Sequence, residues 1–79
     1  MPKLPIVKSS QIIKILIKIG FKKIRQKGSH CFFFRKEDNK AVIVPIHNKD
    51  LGKGLTRKIL NEINLSVEEF INWLHNHNK

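Results

Sequence analysis

Apolar residues recur at helical spacing early in the chain: Ile12, Ile13, Leu16, Ile17 and Ile19 follow Ser9 or Ser10 as a cap and precede Gly20 as a stop. The pattern predicts a first helix over residues 9–20. Its polar stripe, Gln11, Lys14 and Lys18, is narrow, and Ile15 widens the apolar arc beyond what one packed face needs. That surplus suits a docked partner or self-association through this helix.

From Phe21 the period shortens. "FKKIRQ" alternates weakly, "HCFFFRK" is aromatic, "KAVIVPI" is β-branched, and "KGS" and "EDNK" punctuate them as turns. A three-stranded antiparallel meander over residues 21–46 is expected. Pro45 cannot donate a ladder hydrogen bond and belongs at a strand end or an edge. The three phenylalanines read as core more readily than as base-stacking platforms, yet strand alternation puts Phe33 on the face opposite Phe32 and Phe34, which makes Phe33 the candidate for exposure.

After the polar loop "HNKDLGKG", Leu55, Ile59, Leu60 and Ile63 share one helical face, with Arg57, Lys58 and Asn61 outside it. Ser66 and Glu69 form a capping box for a third helix whose buried arc is Val67, Phe70, Ile71 and Leu74, flanked by Trp73. The result is an α+β chain of order α-β-β-β-α(-α), with the helices packed on one face of the sheet. Residues 1–79 make a single domain, with an ordered core over about 9–74 and a tail, 75–79, expected to fray.

Charge narrows the function. Sixteen lysines and arginines against six acidic residues give a net charge of +10, which makes a polyanion, and nucleic acid above all, the natural partner. The single cysteine, Cys31, allows no internal disulfide and fits a cytoplasmic setting. No apolar run is long enough to span a bilayer, and no helix joins a fully basic face to a bulky apolar one, so no membrane role is expected.

Six carboxylates scattered over turns, a loop and helix ends do not make a two-metal nuclease site, and no pair of His30, Cys31, His47 and the tail histidines has zinc spacing. No metal and no cofactor are expected. RNA carries its own nucleophile, the 2′-hydroxyl, which one well-placed base can turn on the adjacent phosphate. His30 is the candidate base. Arg25, Lys27 and Arg35 lie within a few positions of it and can offer cations to a phosphate there. Gly28 lets the backbone approach a phosphate, and Ser29 can orient the ring. His47, at the end of "AVIVPIH", reaches the same phosphate as acid or orienting group if its strand lies beside "HCFFFR". Lys53, Arg57 and Lys58 surround the start of the second helix, where free N–H groups favour an anion. From spacing alone, a turn histidine bonded to its own loop and a solvated cationic face are the plainer readings.

"GFKKIRQKGSH" at 20–30, the aromatic strand after it, "VPIH" at 44–47, a glycine before the second helix and "LSVEEF" near the end together resemble the HicA-type, or YcfA-like, mRNA interferase toxins. The resemblance runs from about Ser9 to Phe70. It implies a double-stranded-RNA-binding-domain-like fold and metal-independent cleavage of messenger RNA by the histidine of Gly-Ser-His, which falls on His30. It also implies a HicB-type antitoxin that covers the site, and it reverses the preference for a merely structural His30. One departure stands out: relatives often read Gly-Thr-Leu at the start of the second helix, where this chain has Gly54, Leu55 and Thr56. The rival readings are a non-catalytic RNA-binding module on the same basic surface, and an interaction protein docking through its first helix.

Overall fold

The computed structural model describes residues 3–46 and 50–77. Helix α1 spans Ser9–Lys18. Neither serine caps it: the cap residue is Lys8, whose backbone N–H donates to Gln11 Oε1 at 2.9 Å, while Ser9 turns inward and is buried. The helix ends on Gly20, whose φ of +107° is costly for any residue with a Cβ. Phe21 N–H then donates to Leu16 O at 2.9 Å and Gly20 N–H to Ile17 O at 3.2 Å, so the closing carbonyls are satisfied.

Strands β1 (Lys22–Lys27), β2 (His30–Arg35) and β3 (Lys40–Pro45) form an antiparallel sheet in the order β1-β2-β3. A two-residue loop, Gly28–Ser29, joins β1 to β2. Its first residue has φ of +59°, the position that a hairpin turn of this length fills with glycine. Ile24 is skipped between the pairs Lys23–Phe33 and Arg25–Phe32, a bulge that leaves it 60% exposed. Pro45 lies at the strand end, as expected.

Helices α2 (Lys53–Glu62) and α3 (Val67–His77) complete the order α-β-β-β-α-α. Helix α2 begins at Lys53, earlier than the apolar pattern implied, because Gly52 serves as its cap residue. It closes as α1 does, with Asn64 at φ +57° in the glycine's place and Leu65 N–H donating to Leu60 O at 3.0 Å. The Ser66–Glu69 capping box forms with two reciprocal 3.0 Å bonds.

Cys31, Phe33, Val42 and Val44 point from the sheet into one core with Ile12, Ile15 and Leu16 of α1, Ile59 and Leu60 of α2, and Phe70 of α3. Two expectations are corrected here. Phe33 is buried rather than exposed, because the sheet presents its odd-numbered β2 positions to the helices. Ile15 is also buried, and the residue left over on α1 is Ile17, 59% exposed. Leu4 and Val7 are also buried, Val7 bridges Leu51, and α3 runs through His77. None of the described helices is long and apolar enough to cross a membrane.

Candidate nucleic-acid interface

Since Cys31 and Phe33 face the helices, the even-numbered residues of β2 must face away from them. The register extends this outer face across the sheet: Lys27 is paired with His30, Arg25 with Phe32 and Lys22 with Phe34, while Pro45, Ile43 and Ala41 flank the same three β2 residues from β3. His30, Lys27 and Arg25 are exposed. The sheet therefore carries a cationic strand beside a histidine and two half-buried aromatic rings.

The turn that presents His30 is tied down on both carbonyls. Gln26 Nε2 donates to Gly28 O at 3.1 Å, and Ile46 N–H donates to Ser29 O. The second bond fixes the chain leaving β3 against the turn. His47, the next residue, lies outside the described residues. A Cβ built on Gly28 would meet nothing within 4 Å, so glycine serves the backbone angle there and the turn stands open to a ligand.

Arg35 does not belong to this cluster, although the sequence places it near His30. It ends β2 some 17 Å from His30 by strand rise. Its guanidinium donates to Asp38 through Nε at 3.0 Å and Nη2 at 2.8 Å, and to Ile19 O through Nη1 at 3.0 Å. The guanidinium also lies 4.6 Å from the centre of the Phe21 ring. It fastens the end of α1 to the β2–β3 turn. The bond to Arg35 holds the Asp38 carboxyl below the usual carboxylate range, and Asp38 in turn strengthens the guanidinium's hold on its proton.

Helix α2 runs back alongside β3. Lys40, at the start of β3, donates through Nζ to Glu62 O at 2.9 Å and ties the last turn of α2 to that end of the strand, while Lys53 lies in the first turn at the opposite end of the helix. No acidic side chain occupies that first turn. Thr56 is fully buried and its hydroxyl donates to Gly52 O at 3.0 Å, so it braces the helix start and is not free for a phosphate. Arg57 and Lys58 are exposed on the helix. Lys58 also borders a groove of about 360 Å³ between α2 and the outer face, which has Phe32, Ala41 and Ile43 on the sheet side and Leu55, Ile59 and Glu62 on the helix side.

The structure thus groups Arg25, Lys27, Gly28, Ser29 and His30 on one hairpin and sets Lys53, Arg57 and Lys58 on the adjoining helix. Phe32 was missed by sequence reasoning. Its signal was present: a histidine that faces solvent at position 30 obliges residue 32 to share that face. Among the described residues, no three His, Cys, Asp or Glu side chains come together as a set able to hold a metal ion.

No curated protein matches the chain. The family model described as the HicA toxin of bacterial toxin–antitoxin systems matches residues 9–65, from the first turn of α1 through the closure of α2, and this span includes the hairpin and the helix built up above. The chain belongs to the HicA toxin family.

Proposed function

We propose that this toxin is a metal-independent endoribonuclease that binds and cleaves messenger RNA with His30 as general base, and that a HicB-type antitoxin neutralises it by covering His30. The observation that carries the reading is the pairing of Lys27 with His30 at the open end of the outer face, which sets a base beside a cation. His30 takes the proton of a ribose 2′-hydroxyl, and the freed oxygen attacks the adjacent phosphorus. The bond from phosphorus to the 5′-oxygen breaks, leaving a 2′,3′-cyclic phosphate and a 5′-hydroxyl. The departing oxygen takes its proton from solvent or from His47. Lys27 stabilises the charge that builds on the phosphate, Ser29 orients the ring, and Arg25, Lys53, Arg57 and Lys58 hold the flanking backbone.

Family membership supports an RNA substrate and an antitoxin partner, and the scarcity of carboxylates supports a mechanism without metal. The test is cleavage of an RNA transcript in EDTA, beside an all-DNA strand and a 2′-O-methyl strand of the same sequence. Cleavage of RNA alone, unaffected by chelation, is the expected result. Activity that stops with EDTA and returns with Mg²⁺ would overturn the mechanism.

A further inference from the structure

Phe32 lies between two features. On the β1 side the Arg25 guanidinium stands over its ring at 4.7 Å from the centroid, and on the β3 side the groove beneath α2 opens. The groove's volume, about 360 Å³, falls at the small end of ligand sites, which run from roughly 300 to 1,000 Å³. Its walls are apolar, with Ile43 47% exposed although it sits mid-strand. Its polar members, Lys58 and Glu62, are four residues apart and therefore adjacent on one side of α2.

We propose that this groove is a subsite for one unstacked base of single-stranded RNA, next to the nucleotide whose phosphate is cut, and that it prefers guanine. The proposal rests on the reading of His30 and its neighbours as an RNA site. His30 and Phe32 are two positions apart on one strand face, about 7 Å by strand rise, so a base attached beside the reacting phosphate comes down on Phe32. A half-buried aromatic ring backed by a guanidinium is a stacking platform of the kind single-stranded RNA uses. Charge argues for a nucleic-acid occupant over an apolar peptide: Lys58 lines the groove, Arg25 stands over the Phe32 ring at its edge, and the chain carries +10 overall. Guanine presents a carbonyl oxygen beside two N–H donors on its pairing edge. Lys58 supplies a donor for the first and the Glu62 carboxylate accepts the second pair, whereas uracil would set carbonyls against that carboxylate.

The experiment measures binding of short RNA strands that differ at one position (guanine, adenine, cytosine or uracil), with a parallel strand carrying fluorescent 2-aminopurine there. It is run in a His30→Ala background, so that binding is read apart from cleavage. Quenching of the 2-aminopurine, tightest binding for guanine and loss of that preference in Glu62→Gln are expected. Phe32→Leu, which keeps an apolar side chain, should weaken binding on the order of 5- to 100-fold. Ala41→Phe fills the groove from an exposed strand position without touching the core, and should block quenching in a chain that melts normally. If RNA binds but neither Phe32→Leu nor Ala41→Phe changes affinity or quenching, the subsite is wrong while the RNA reading survives. If no RNA binds at all, both fall. If Phe32→Leu and Ala41→Phe weaken antitoxin binding and leave RNA untouched, the groove is a protein-docking site and the proposal is overturned.

Discussion

Arg35 grips Asp38 through two parallel hydrogen bonds, 3.0 and 2.8 Å long, three residues along the same chain. A third bond from the guanidinium to Ile19 O joins that turn to the end of α1. Arg35→Met keeps the packing over Phe21 and removes every one of these bonds. It should cost about 1–2 kcal/mol, read as a lower urea midpoint with an unchanged slope. RNA binding should be unaffected, because the residue lies at the far end of β2 from His30. A loss of binding without loss of stability would return Arg35 to the site.

The same contact sets a pH dependence. The Asp38 carboxyl is held below its ordinary value by Arg35, and that of Glu69 by the backbone N–H and hydroxyl of Ser66. A carboxylate whose folded pKa is depressed adds stability that is present above its unfolded pKa and is lost as the pH falls through the folded one. Melting temperature should therefore decline as the pH passes below the usual carboxylate range. Asp38→Asn and Glu69→Gln should each flatten that decline while lowering stability at neutral pH. Thermal melts across an acid series provide the check.

Much of this architecture is legible in the sequence, and the failures share a cause. Element order, the KGSH turn and the Ser66–Glu69 cap follow from local signals, because caps and two-residue turns are chemistry between near neighbours. Which face of a strand is buried is not local. Alternation separates Phe33 from Phe32 and Phe34, yet only the helices on the far side decide that Cys31 and Phe33 go inward. Arg35 is close to His30 in number and distant in space, since an extended strand carries the chain rapidly away from its turn. Lys27, by contrast, meets His30 because a two-residue loop makes them cross-strand neighbours, a relation the turn signal already contained. Leu4 and Val7 lacked any periodic partner in the sequence; Val7 is held in the core by its bridge to Leu51, and Leu4 is buried in the same cluster.

His30→Ala should lower RNA cleavage by about 10²- to 10⁴-fold, the usual loss when a general base is removed. Since His30 is exposed at the end of the turn, the variant should fold and bind RNA as the parent does. Growth arrest on expression and a gel assay of transcript decay both report the effect. Near-parental cleavage by the variant would remove His30 from the mechanism.

Gly28 offers a separate test of how the base is held. Its φ of +59° disfavours any side chain even though the space around it is open, so Gly28→Val should strain the turn by about 1–2 kcal/mol. The strain falls on the loop that sets His30 against Lys27. Cleavage should drop more than RNA affinity does. Gly28→Asn, which tolerates the left-handed region, should recover most of the activity, and equal activity in the valine and asparagine variants would show that turn geometry does not matter.

The last prediction separates holding RNA from cutting it. Phosphate contacts release counterions, so with ~4 phosphates engaged by Lys27, Lys53, Arg57 and Lys58, log affinity for a single strand should fall against log salt with a slope of about −3. Lys53 and Arg57 are exposed on α2 and outside the base groove, so reversing both to glutamate leaves the core and Phe32 intact. The double variant should flatten the slope and weaken all sequences alike, since contacts to the backbone position the strand without reading it. His30→Ala should leave the slope where it was. The same reversal should slow association with an acidic antitoxin and make that rate less sensitive to salt, because the cations that attract RNA also steer the partner. A slope near zero in the parent, or one that survives the double reversal, would mean that the positive charge on α2 is not what holds RNA.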